Sequence, residues 1–124
     1  MSKEDNSKES KILADVAVQG MQERKAHDIV LMDMQGLHHT VSDYFVVCHG
    51  NSTVQVAAIA QSIEEEVFKT LKQEPWRKEG LGNNEWILLD FIDVVVHVFH
   101  RDKRYFYGIE ELWADAEVHT FKSA

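Results

Sequence analysis

The sequence predicts an α/β domain in which a mixed sheet of four or five strands is flanked by helices. Three observations predict it. Apolar residues recur every three or four positions over residues 12–24 and 56–71, the period of helices with one buried face. Short runs rich in β-branched and aromatic residues, at 28–33, 44–48, 85–91 and 93–99, read as strands between and after those helices. The last two runs are so close that only an antiparallel hairpin can join them.

Taken in order, residues 1–10 are polar and read as a tail, with the domain spanning residues 11–114 and a weakly patterned tail over 115–124. Ile12, Leu13, Val16, Ala17, Gly20, Met21 and Arg24 form one helix stripe. Gly20 weakens that helix by up to about 1 kcal/mol relative to Ala unless a close neighbour needs the space. The run at 44–48 is apolar on both alternating faces, as a central strand covered on both sides would be. Ser52 and Gln55 form a capping box that starts the second helix, and Gln73-Glu74-Pro75 ends it, since Pro lacks the N–H that would continue the ladder. Residues 76–80 read as a short strand, 81–84 as a turn, and 101–113 as short helix.

With 124 residues there is room for one core. Thirteen Lys and Arg against 21 Asp and Glu give a net charge of -8, which opposes binding to a phosphate backbone and favours encounter with a basic protein. Direct sequence-specific nucleic-acid binding is therefore not expected. Cys48 is the only cysteine, so an intrachain disulfide and a four-cysteine zinc site are excluded, and a reducing, cytoplasmic setting is expected. No run reaches the roughly 20 apolar residues of a membrane helix.

The turn His49-Gly50-Asn51-Ser52 sits where many enzymes hold phosphate, but it has one glycine and no Lys before Lys69. Asp90 and Asp93 bracket a two-residue turn, and Asp93 shares a strand face with His97, which makes them the candidates for acid/base or metal chemistry. Asp at hairpin ends more commonly bonds local backbone. The pair His38-His39 reads as loop, Cys48 as a buried thiol. Trp76, Trp86, Tyr105, Tyr107 and Trp113 lie among Arg, Lys and Glu residues in the second half, a mixture found at protein interfaces, although Trp86 and Trp113 also suit a core.

Ser42-Asp43-Tyr44-Phe45-Val46-Val47, Gly50-Asn51-Ser52, Glu79-Gly80, Trp86 to Phe91, Asp93 to Phe99, and Tyr107-Gly108-Ile109-Glu110-Glu111-Leu112-Trp113 resemble, in order, the motifs of the Iojap family of ribosomal silencing factors. The resemblance implies a nucleotidyltransferase-like fold without catalytic residues or cofactor. It further implies a protein that binds the large ribosomal subunit through its fourteenth protein, blocks joining of the small subunit and lowers translation when nutrients are scarce. A homodimer when free is also implied. On this reading Trp76, Glu79, Gly80, Asp90, Asp93, His97, Tyr107 and Trp113 line or support the partner surface. Ile92 stands where the family usually has Gly, so a positive φ there would be strained, and Cys48 and His49 replace smaller residues. The competing expectation is a metal- or nucleotide-dependent enzyme using Asp90, Asp93 and His97.

Overall fold

The chain runs α1 (Lys3–Glu23), β1 (His27–Asp33), β2 (Tyr44–Gly50), α2 (Thr53–Leu71), β3 (Arg77–Glu79), β4 (Trp86–Asp90), β5 (Val94–His100), α3 (Arg101–Tyr107), α4 (Ile109–Leu112) and β6 (Glu117–Phe121). This computed structural model describes residues 3–37 and 42–123, with side chains from Lys8 onward. The pair His38-His39 lies outside the described residues. One sheet holds the six strands in the order β3-β4-β5-β2-β1-β6. Only β2 and β5 are parallel, with Tyr44 opposite Val94 and Gly50 opposite His100; the other neighbours are antiparallel. The hairpin expected between residues 85 and 99 is β4–β5.

The sheet has one strand more than the four or five expected, and both segments expected as tails contribute structure. β6 pairs with β1 through Ile29 opposite Phe121 and Asp33 opposite Glu117. Its residues Glu117 to Thr120 are exposed, so no buried face marks it in the sequence; the open edge of β1 supplies the hydrogen bonds that make it a strand. At the other end α1 begins at Lys3, and Ser10 is buried with its hydroxyl donating to Asp43 Oδ2 at 2.8 Å. Lys and Glu are good helix formers, and extending a helix already nucleated by its packed part costs little.

Helices α1 and α2 cover one face of the sheet. Their contact is close at Gly20, where a Cβ would lie 2.8 Å from Ile63 Cα. Ser62 Oγ donates to the Gly20 carbonyl at 2.8 Å across the same contact. The glycine therefore admits a helix, and its cost in propensity is offset by packing. At the start of α2 the Gln55 N–H donates to Ser52 Oγ at 3.1 Å, while Gln55 Oε1 accepts from Asn51 N–H at 2.8 Å. The expected capping box is thus present with its return bond one residue earlier than the cap. Lys72 closes α2 with φ 56° and an N–H bonded to the Phe68 carbonyl, before Pro75 could act.

Leu13, Met21, Ile29, Val46, Ile59, Ile63, Leu89 and Val96 belong to the main core between the sheet and these two helices. A smaller core on the opposite face joins Val30, Met32, Met34, Val47, Phe99, Ile109 and Ala116. The short helices α3 and α4 reach only part of that second face.

Candidate functional site

Alternation along the strands sorts side chains between the two faces, and the pairing register shows which ones meet. Leu88 lies opposite His97, Asp90 opposite Val95, Arg77 opposite Asp90 and Glu79 opposite Leu88. Across the parallel pair, Phe45 stands beside Val95 and Val47 beside His97. The second face thus carries Glu79, Leu88, Asp90, Trp86, His97 and Phe45 as one continuous patch. Phe45, Trp86, Leu88 and Asp90 are only partly buried.

The patch is built round an aromatic cluster. Trp86 packs against Phe99 at 5.0 Å between ring centroids and against Tyr107 at 4.6 Å. Phe45 meets His97 at 4.8 Å and Trp113 at 6.0 Å, both edge to face. Tyr107 remains 43% exposed, and Phe106, its neighbour at 5.3 Å, is more exposed still. Tyr107 and Trp113 come from the α3–α4 segment, whose two helices meet at Gly108, φ 58°. Gly108 serves as the left-handed end of α3 and the start of α4 together.

His97 is 3% exposed, and burial lowers its pKa to about 3, so the ring is neutral. Trp86 Nε1–H donates to His97 Nδ1 at 3.1 Å. The ring proton therefore sits on Nε2, which is buried with no hydrogen-bond partner among the described residues.

The remaining expected residues lie along one margin of the patch. Trp76, 70% exposed, precedes β3, and its N–H donates to the Asp90 carbonyl at 2.8 Å. Arg77 spans Glu79 and Asp90, each at 3.6 Å. Gly80 has φ 85°, and a Cβ there would overlap the Trp86 carbonyl, so this residue shapes the β3–β4 connection and presents no side chain. Asp93 is exposed; partial burial and the nearby Asp43 and Glu9 raise its carboxyl above the ordinary range. Phe45 and Leu88 were not among the expected site residues. Their one sequence signal is the alternation that puts them on the His97 face.

This arrangement does not assemble the chemistry that Asp90, Asp93 and His97 would need. Asp90 Oδ1 accepts the Ile92 N–H at 2.8 Å, and His97 Nδ1 is taken by Trp86. Among the described residues no three His, Cys, Asp or Glu side chains converge as a metal site would require. At the turn before α2 the N–H groups of Asn51, Gln55 and Val56 are bonded within the protein. Cys48 is fully buried, and burial pushes its thiol well above the ordinary range. No helix among the described residues is long and apolar enough to cross a membrane.

A patch of half-exposed aromatics with a charged margin suits protein docking. Residues 6–124 match the family model described as ribosomal silencing factor during starvation. The chain is 42% identical over 108 residues to ribosomal silencing factor RsfS of Bacillus subtilis, covering 87% of this chain and 90% of that protein. It is 29% identical over 102 residues to the mouse mitochondrial assembly of ribosomal large subunit protein 1, covering 80% of this chain and 44% of that one. A crystal structure of a protein from Chromobacterium violaceum superposes with a TM-score of 0.79 at 31% identity, covering 84% of this chain and 85% of that one. By sequence and by fold, the chain belongs to the RsfS family of ribosomal silencing factors.

Proposed function

We propose that this protein is a ribosomal silencing factor that binds the large ribosomal subunit through its fourteenth protein and so blocks joining of the small subunit, lowering translation when nutrients are scarce. Family membership and the names of its relatives support the silencing role, and the mouse relative's name supports the large subunit as the target. The observation that carries the reading is the aromatic face round Trp86 and His97, left partly open by α3 and α4. Buried aromatic anchors ringed by polar residues contribute most of the energy in protein interfaces. A net charge of -8 favours steering toward a basic ribosomal protein.

No covalent step is required. A body of this size seated on the face that meets the small subunit denies it the space its bridges need. Free protein is proposed to act in the cytoplasm and to pair as a homodimer. Sedimentation through a sucrose gradient with purified subunits tests the reading. The protein should travel with free large subunits and be absent from joined ribosomes; migration at the top of the gradient in every fraction set would sink it.

A further inference from the structure

The connection between β4 and β5 holds Ile92 at φ 76°, a conformation in which a β-branched side chain is strained. The Asp93 N–H bonds back to the Phe91 carbonyl at 3.0 Å, closing a three-residue turn of the rare positive-φ kind round Ile92. The surroundings fix this turn from every side. Ile92 N–H donates to Asp90 Oδ1 at 2.8 Å, and the Ile92 carbonyl accepts from Ser42 Oγ at 3.2 Å. The Asp93 carbonyl takes the N–H groups of Asp43 and Tyr44 at 2.7 and 3.1 Å. Strain of this kind persists only where neighbouring bonds impose it, and it gathers at functional sites.

The effect of the turn is to hold an apolar side chain out. Ile92 is 56% exposed and, with the exposed Trp76, the partly buried Asp90 and the buried Ser42, lines a cavity of about 300 Å³. Fold stability gains nothing visible from that side chain: Phe91 beside it is the residue buried in the core. Asp90 lines the cavity, with Arg77 3.6 Å from its carboxylate, and two further acids, Asp43 and Asp93, directly follow the lining residues Ser42 and Ile92 in the chain. An occupant with apolar substance and positive charge at its margin complements both properties.

We propose that Ile92 and Trp76 form a second anchor of the docking surface, which takes an apolar side chain flanked by Lys or Arg from the basic partner protein. This rests on the reading that the partner is on the large ribosomal subunit. Charge complementarity and continuity with the aromatic face through Asp90 favour such a segment over a small ligand.

Two variants test it, Ile92→Gly, which removes side chain and strain together, and Ile92→Asn, which tolerates positive φ and keeps a polar side chain. Ile92→Gly should melt a few degrees higher than the wild type, and both should bind purified large subunits roughly fivefold or more weakly, mainly through faster dissociation. Asp93→Asn should instead slow association, and only at low salt. Unchanged affinity in both Ile92 variants, with the wild type binding normally, overturns the anchor and leaves the large-subunit reading intact. An unaltered melting temperature in Ile92→Gly overturns the claim of strain. If the wild type itself binds no large subunits, the partner reading fails and this contact fails with it.

Discussion

Trp86 and His97 lock one another: the indole N–H of Trp86 donates to Nδ1 of His97 at 3.1 Å, from adjacent strands that place His97 opposite Leu88 and Trp86 opposite Phe99. The bond fixes the tautomer of a buried imidazole and the orientation of a half-exposed indole at once. It holds Trp86 rigid, so that in the proposed docking face the indole would have little rotamer freedom to lose on binding.

Replacing His97 with Phe keeps the ring and removes the acceptor. Stability should fall by about 1–2 kcal/mol in urea unfolding, as expected for a donor left without its partner. Affinity for large subunits should fall by a larger factor than that of a stability-matched core variant such as Val96→Ala. Equal losses in the two would mean that the pair matters for folding alone.

Acid should destabilise the protein between pH 7 and 5. Burial lowers the pKa of His97 to about 3, and burial followed by the Arg104 guanidinium, 2.9 Å from His49 Nδ1, lowers that of His49. Both histidines bind protons more readily when the chain is unfolded, so unfolding becomes easier as pH drops below the ordinary histidine value. The contribution of His97 is present above about 6.5 and is lost as pH falls toward 3, at up to about 1.4 kcal/mol per pH unit. The Asp93 carboxyl, raised by burial and then by Asp43 and Glu9, acts in the opposite direction. Urea midpoints at pH 7 and 5 check the slope, and His97→Phe should flatten it.

Gly20→Ala adds a residue of higher helix propensity and should still destabilise. The new Cβ meets the α2 backbone 2.8 Å away at Ile63, and backbone cannot move aside as a side chain can. The expected loss is about 1–3 kcal/mol, read from thermal or urea unfolding. A gain in stability would show that α1 can shift on α2 freely.

Leu88→Lys places a charge in the middle of the aromatic patch. Leu88 is partly exposed, so its ammonium can reach water, and stability should change by about 1 kcal/mol or less. Binding to large subunits should weaken at least tenfold if the face docks as proposed, measured at one salt concentration. The wild-type association rate should fall severalfold on raising salt, with little change in dissociation, if charge steers the encounter.

Much of the fold was legible because local signals and tertiary structure agree. The stripe from Leu13 to Met21, the Ser52 cap and the alternation through β4 and β5 each demanded one arrangement. The positive φ of Ile92 was legible only through the resemblance, since Gly usually stands at that position in the family. β6 was not, because its stability comes from the edge of β1 and not from a buried face of its own. The site was only half legible. Tyr107, Trp113, His97 and Asp90 fall on one surface, whereas Gly80 proves to be a backbone requirement, and Phe45 and Leu88 appear only once the register is known.

The sequence by itself determined the family, the α/β class and the absence of a glycine-rich phosphate loop, because these depend on residue order and local chemistry. Tertiary structure alone decided which sheet face is open. Strand alternation says that two faces exist; α1 and α2 pack the main core on one, while α3 and α4 cover only part of the other, where Tyr107 reaches Trp86. That difference in coverage leaves Trp86 partly exposed with His97 buried beside it, on the face proposed to receive another protein.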